Sequence, residues 1–228
     1  MRLRTSYDDD SYIATIEAML TNWRLHLPPT KKDSFQMNGR LDEMMFQAYM
    51  MNYAVSIILH QPYSQLDTTP VQTIDSCTPQ QKVQSNDLFN GHTRHIISSA
   101  SQISGMITQR VPLALHTPFF TCVITLSSVV HLSRWATCRV TDEDENLQQE
   151  IKLNIGALGE LSGTWRAAGL AYQQVRSVAQ DIYKVKQQQH DDPQFWMGFS
   201  PQDVMNAISM NDSIIKDIEN IEFEDQQL

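Results

Sequence analysis

Residues 118–135, PFFTCVITLSSVVHLSRW, form the most apolar run in the chain and limit what it can fold into. Pro118 suits the first turn of a helix, where no backbone N–H is needed, and Thr117 before it can cap that turn. The apolar residues then occur on every side of the predicted helix instead of along one stripe: Phe119, Phe120, Val123, Ile124, Leu126, Val129, Val130 and Leu132. A helix that is apolar on every side is surrounded by other helices. We therefore expect this run to be the central helix of a soluble helical domain.

A membrane span is the alternative for the same run, but a span needs about 20 consecutive apolar residues. Polar residues interrupt the run, among them Thr121, Thr125, Ser127, Ser128, His131 and Arg134. The first ten residues also lack the apolar segment of a signal peptide. We expect an intracellular protein that does not cross a membrane.

Helical periodicity flanks the central run, and no convincing strand alternation occurs. The predicted helices cover about residues 11–27, 39–60, 86–109, 118–135 and 143–186. Residues 61–85 are rich in Pro, Ser, Thr and Gln and are expected to form a long, partly disordered connector. The predicted fold class is therefore all-α: a bundle of about five main helices around a central apolar helix, followed by an acidic tail.

The segment at 143–186 is predicted as one long helix because two seven-residue series interleave in it. Their members are Leu147, Asn154, Leu161, Ala168, Val175 and Ile182 in one series, and Ile151, Leu158, Trp165, Tyr172 and Ala179 in the other. Gly156, Gly159 and Gly163 lie off this seam and disfavour helix locally. They are interpreted either as places where another helix approaches closely or as a local kink.

Charge separates the chain into two parts. Residues 203–228 carry seven acidic residues against one lysine, so they hold six of the nine net negative charges. The tail alternates these acids with apolar residues, which is typical of transcriptional activation segments; a helix docked on the chain's own surface is the alternative. We predict a helical domain at 1–190 and a tail at 191–228. Neither part has the clustered Lys and Arg of a nucleic-acid-binding surface, so we expect no direct contact with DNA.

No catalytic, cofactor-binding or metal-ligating set is recognisable. His92 and His95 lie one turn apart and could share a helix face, but no cysteine or carboxylate is spaced to complete a zinc site with them. The three cysteines, Cys77, Cys122 and Cys138, are far apart and do not suggest a disulfide framework. Cys122 and Cys138 are expected to be buried apolar fillers instead of nucleophiles.

Four side chains combine an apolar body with a polar tip and are the best candidates to line a cavity: His131, Trp135, Trp165 and Tyr172. A satisfied core histidine and packed aromatic residues are the alternative interpretation.

Three stretches resemble a known family. They are Leu41–Met50 leading to Leu59-His60-Gln61-Pro62, then Thr117–Leu126, and finally Lys152–Leu158 with Trp165 and Gln174–Ile182. Their order and spacing resemble the C-terminal part of the middle homology region of fungal zinc binuclear-cluster transcription factors. Gln61 replaces the arginine of that family's leucine-histidine-arginine-proline motif, and Gly159 lies where a basic residue is common.

The resemblance implies an all-helical regulatory domain in a nuclear protein, often one that controls a pathway or a secondary-metabolite gene cluster. It implies other transcription proteins or a dimer partner as binding partners, and a small apolar molecule as a further ligand. The six-cysteine DNA-binding cluster of the family is not in this sequence. The alternative function is a stand-alone enzyme, repurposed from this fold, that steers an apolar metabolite by shape, as a cyclase does.

Overall fold

The computed structural model describes residues 6–32, 34–35, 39, 41–76, 90–108, 113, 116–137 and 143–190. Six helices lie in this part of the chain: α1 (Ser6–His26), α2 (Glu43–His60), α3 (Gly91–Ile107), α4 (Phe119–Thr137), α5 (Glu143–Ser162) and α6 (Arg166–His190). Short 3₁₀ turns occupy Pro29–Lys31, Gln61–Tyr63 and Thr69–Val71. Among these residues the only extended pairing is an isolated bridge between Phe35 and Leu41. The predicted all-α class is confirmed.

The apolar run forms α4, and its surroundings explain its composition. Fourteen of its nineteen residues are buried, and it packs against α2, α3, α5 and the Thr69–Val71 turn. The hydroxyls of Thr125 and Ser128 donate to the carbonyls of Thr121 and Ile124, both at 2.8 Å. These local bonds allow polar residues to be buried without loss of hydrogen bonding. In the described part of the chain α4 is the one helix apolar and long enough to cross a membrane, and 78% of its most apolar window is buried against the rest of the protein.

Side-chain caps set the starts of α2 and α3, two of the helices that pack on α4. The carboxylate of Asp42 accepts a hydrogen bond from the Met45 N–H at 3.3 Å, so α2 begins at Glu43, later than the predicted start near residue 39. The Asn90 side chain accepts from the Thr93 N–H at 2.8 Å and fixes the start of α3. The predicted start of the third helix, near residue 86, lies outside the described residues. Caps of this kind satisfy backbone donors that would otherwise have no partner.

The predicted connector is partly wrong. Residues 61–76 contain two of the 3₁₀ turns, and three of their apolar side chains are almost fully buried: Leu66, Val71 and Ile74. This stretch is therefore part of the core. Residues 77–85 lie outside the described part.

The single long helix predicted at 143–186 is also wrong, because residues 163–165 interrupt it. The Ser162 hydroxyl donates to the Gly159 carbonyl at 2.6 Å, and Gly163 disfavours continued helix. The Trp165 N–H donates to the Leu161 carbonyl at 2.8 Å.

The buried series nevertheless continues across the break, since Leu161 and Ala168 are both fully buried. Burial of every seventh residue is thus preserved in the series from Leu147 to Ile182, whereas Trp165, Tyr172 and Ala179 of the second series are only half-buried.

The chain divides into two units, at 1–182 and 183–228. The candidate site residues all lie in the first unit. Of the second, the structure describes only the final residues of α6. The predicted tail at 191–228 lies outside the described residues, and the boundary at 190 stays a prediction.

Candidate functional site

The four side chains predicted to line a cavity lie at different places in the first unit. His131 and Trp135 are on α4 and buried, Trp165 is half-buried in the break between α5 and α6, and Tyr172 is half-buried on α6. Tyr172 packs beside Gly159, where an added Cβ atom would lie 3.4 Å from the tyrosine ring. Its hydroxyl accepts a hydrogen bond from Arg176 at 3.2 Å. That these four residues line one cavity stays a prediction.

His131 belongs instead to a buried polar cluster, which we call the core network: Ser104 on α3, Ser127 and His131 on α4, and Asn154 on α5. All four side chains are at most 1% exposed. Ser104 Oγ lies 3.0 Å from both His131 Nε2 and Asn154 Oδ1. The Asn154 amide donates to Ser127 Oγ at 3.2 Å, and the Ser127 hydroxyl donates to the Ala100 carbonyl at 3.0 Å. The network therefore joins the three helices at the centre of the core.

Counting hydrogens fixes the tautomer of His131. Ser104 has one hydroxyl hydrogen, and Asn154 Oδ1 accepts it. The bond between Ser104 and His131 therefore needs its hydrogen on His131 Nε2, which leaves a lone pair on Nδ1. That Nδ1 atom lies 3.3 Å from Glu150 Oε2 but is not aligned with it as a hydrogen bond. Burial lowers the pKa of His131 to about 4, with a smaller contribution from Arg134 and against the opposing effect of the Ala100 carbonyl. The ring is therefore neutral at pH 7.

In space, His131 lies between Ser104 and Glu150, as the histidine of a serine-hydrolase triad lies between the serine and the acid. A nucleophile must also reach its substrate, and Ser104 is only 1% exposed while His131 is fully buried. The arrangement fits a satisfied polar core better than a reaction centre. The enzymatic alternative therefore gains no support from these residues.

A cavity of about 470 Å³ lies between α1, α2 and α3. Its wall is mainly polar and consists of Glu17, Thr21, Arg24, Asn52, Tyr53, Ser56, His95, Ser98, Ser99 and Gln102. The Arg24 guanidinium lies 5.9 Å from the centre of the Tyr53 ring, a cation–π distance, and donates to the Thr21 hydroxyl at 3.4 Å. A pocket with these groups suits a polar or charged ligand.

Three histidines and a carboxylate meet at one side of this cavity, and we call them the histidine cluster: Glu17, His60, His92 and His95. Glu17 Oε2 lies 3.2 Å from His60 Nε2, and Glu17 Oε1 lies 3.7 Å from His95 Nδ1. The Nδ1 atoms of His60 and His92 are 2.9 Å apart, and the His60 and His95 rings stack with centroids 4.4 Å apart. His60 is 3% exposed, whereas the His95 side chain is 48% exposed. The cluster thus extends from the core to the cavity.

Burial lowers the pKa of His60, and the nearby His95 and His92 act in the same direction, while the bond to Glu17 opposes them. We expect a neutral ring at pH 7. The Glu17 carboxylate then accepts the Nε2 hydrogen of His60, so His60 Nδ1 accepts from His92. Both ring nitrogens of His60 therefore take part in a hydrogen bond.

Only part of this cluster was predictable from the sequence. The spacing of His92 and His95 predicted that they share a helix face. The partners of His95, however, are Glu17 on α1 and His60 on α2, which are 35 residues or more away in sequence. His60 is the histidine of the Leu59-His60-Gln61-Pro62 stretch, and that motif was the one signal that marked it. Glu17 had no signal, because a glutamate on an amphipathic helix is ordinary.

The expectation for the cysteines is wrong at one position. Cys122 on α4 is exposed instead of buried, because it occupies one of the few positions of that helix that face away from the core. Cys77 and Cys138 lie outside the described residues.

Comparison with known proteins gives one match of high identity. The C6 finger domain transcription factor iacK of Pestalotiopsis fici is 48% identical to this chain over 220 residues, which is 96% of the chain but 33% of that protein. No family model and no solved structure matches. The chain spans about a third of the length of this curated relative. It is therefore homologous, along almost its whole length, to one part of a protein that carries the name of a fungal transcription factor.

Proposed function

We propose that this chain is a regulatory region of a fungal transcription factor and acts in the nucleus through contacts with other proteins. The observation that carries the proposal is its 48% identity with part of a C6 finger transcription factor. A C6 cluster needs six cysteines, and this sequence has three that lie far apart, so the shared part is not the DNA-reading cluster. The all-helical fold agrees with the regulatory region that the sequence motifs resemble. Control of a pathway or a secondary-metabolite gene cluster is the corresponding biological role.

The acidic tail is proposed as the segment that contacts the transcription machinery. Its isoleucines and Phe223 alternate with acids from Asp217 to Asp225. Acidic groups keep such a segment soluble, while its apolar groups bind the groove of a partner protein. This division leaves the helical domain to regulate the tail or to pair with a partner.

The cavity beside α1, α2 and α3 is the proposed effector site. Charged, amide and hydroxyl groups line it, so a polar effector fits the wall better than the apolar molecule expected from the family resemblance. An apolar effector in another cavity stays a prediction.

A reporter assay tests the proposal directly. The full chain is fused to an unrelated DNA-binding domain in yeast, and transcription from that domain's operator is measured. Activation well above the DNA-binding domain alone is expected, and its absence would reject the activation claim. A fluorescent fusion of the chain in a fungal host should accumulate in the nucleus, and exclusion from the nucleus would contradict the proposed place of action.

A matched pair of variants locates the activity. Neutralising three tail acids (Glu219→Gln, Glu222→Gln, Glu224→Gln) should remove most of the reporter signal. Neutralising three exposed acids of the helical domain (Asp75→Asn, Glu145→Gln, Glu160→Gln) changes the net charge equally and should leave the signal intact. Equal effects of the two sets would show that net charge, not the tail, matters.

A further inference from the structure

The histidine cluster brings a carboxylate and two imidazoles from three separate helices to one point. We propose that Glu17, His60 and His95 bind a divalent transition-metal ion, with zinc as the expected occupant. The proposal does not depend on the proposed function, since metal binding can be measured on the purified chain.

The separations of the donor atoms favour this assignment. One donor atom from each of the three residues lies within 4.8 Å of the other two. In a tetrahedral zinc site with bonds of about 2.0–2.1 Å, the ligand atoms lie roughly 3.3 Å apart. The pair formed by Glu17 and His60 already has this spacing, at 3.2 Å. His95 is the residue that has to move, and its half-exposed side chain has room to rotate out of its stack on His60.

His92 provides the second hydrogen bond that zinc-binding histidines usually make. When a metal ion replaces the Nε2 hydrogen of His60, the ring must carry its hydrogen on Nδ1. His92 Nδ1 lies 2.9 Å away and can accept that hydrogen. Such an outer partner fixes the tautomer and the orientation of the ligating ring. The contact between the two Nδ1 atoms can therefore form with either tautomer of His60: His92 donates without the metal ion, and His60 donates when the ion is bound.

The cavity supplies the remaining coordination position. Glu17 and His95 form part of its wall, and Ser56 beside them places its hydroxyl 3.5 Å from Glu17 Oε2. Three protein ligands with a fourth position open to solvent are typical of zinc sites that exchange a ligand. A water molecule or a small polar ligand in the cavity would complete the tetrahedron.

The ligand set also discriminates among metal classes. Calcium and magnesium prefer all-oxygen sites, whereas imidazole suits zinc and its neighbours in the first transition series. Two imidazoles and one carboxylate therefore favour a transition-metal ion over calcium and magnesium.

The test is a titration of the full, untagged chain with Zn²⁺ after treatment with a chelator. Calorimetry should give one equivalent of bound ion, and the melting temperature should rise as Zn²⁺ is added. His95→Ala and Glu17→Gln should each weaken binding by about 100-fold, and His92→Ala by about 10–100-fold. His26→Ala is the matched control, since His26 is an exposed histidine on α1 that bonds only locally, to the Asn22 carbonyl.

Cobalt distinguishes this site from binding by the cysteines. Co²⁺ in the proposed site should give visible bands of a tetrahedral nitrogen and oxygen complex, without thiolate charge-transfer absorption. His95 is exposed, so His95→Ala should fold normally and keep the test decisive if Glu17→Gln lowers stability. The proposal is overturned by any of three results: no saturable binding, thiolate absorption, or binding in His95→Ala that equals that of the native chain.

Discussion

The Nδ1 atom of His131 lies 3.3 Å from Oε2 of Glu150, and the two groups are not aligned as a hydrogen bond. His131 gives its only ring hydrogen to Ser104 through Nε2, so a lone pair faces the carboxylate. Glu150 is 28% exposed, which lets water solvate the carboxylate and limits the repulsion. Two hydrogen-bond acceptors, His131 Nδ1 and Glu150 Oε2, therefore face each other, which is an unfavourable contact. Replacing one acceptor by a donor should relieve it.

Glu150→Gln should raise the free energy of unfolding by about 1 kcal/mol, because the glutamine amide can donate to His131 Nδ1 where the carboxylate cannot. Denaturant unfolding at pH 7 measures the change. Glu145→Gln, on the exposed face of the same helix, should have little effect. A loss of stability in Glu150→Gln would mean that His131 is protonated and forms an ion pair with Glu150.

Acid should destabilise the fold through His131. Its pKa is about 4 in the folded protein and about 6.5 when unfolded, so between these values the unfolded chain binds more protons. Stability therefore falls as the pH drops from 6.5 towards 4, by about 2 kcal/mol at pH 5. Unfolding curves at pH 7 and pH 5 give this difference.

A His131→Asn variant isolates the contribution of this ring, since the lowered pKa of His60 acts in the same direction. The variant is expected to be less stable than the native chain at pH 7, but to lose less between pH 7 and pH 5. An unchanged pH dependence would contradict the assignment to His131.

The core network should be sensitive to Asn154. Asn154→Leu keeps the approximate size of the side chain, but it leaves Ser104 without its acceptor and Ser127 without its donor. An unsatisfied buried group costs about 1–3 kcal/mol, so a loss of this order is expected.

A double-mutant cycle with Ser127→Ala tests whether the two residues interact. The measured coupling should be at least about 0.5 kcal/mol, because the two side chains are hydrogen-bonded within one network. Additive losses would show that Asn154 acts through packing alone.

The sequence was sufficient for the features that depend on local pattern. The apolar run at 118–135 predicted the central helix because its apolar residues occur on every side of that helix. The series from Leu147 to Ile182 predicted buried positions of α5 and α6, including the polar Asn154, whereas the second series is buried only in α5, at Ile151 and Leu158. The break at 163–165 was not predicted, because the seven-residue pattern continues through it and the glycines there fit either close approach of another helix or a local kink.

The sites depend on contacts that no spacing reveals. Glu17, His60 and His95 meet because α1, α2 and α3 pack together, and neither the motif at His60 nor the spacing of His92 and His95 indicates that Glu17 joins them. Ser104 and Ser127 similarly look like ordinary small residues of apolar helices, yet they hold His131 in one tautomer. His131 is bonded through Nε2 within the core, as the alternative of a satisfied core histidine predicts, and whether it also lines a cavity stays a prediction.

Glycine at position 156 should be replaceable with a gain in stability. Gly156 lies inside α5 on an exposed face, and an added Cβ atom would meet nothing within 4 Å. Alanine loses less backbone entropy on folding, so Gly156→Ala should raise the free energy of unfolding by about 0.5–1 kcal/mol. Gly39→Ala is the contrasting control: it too has open space around it, but its φ of +75° disfavours any side chain, so a loss of about 1 kcal/mol is expected. Thermal unfolding of the two variants beside the native chain decides the matter, and a destabilised Gly156→Ala would mean that the exposed face of α5 is covered in solution.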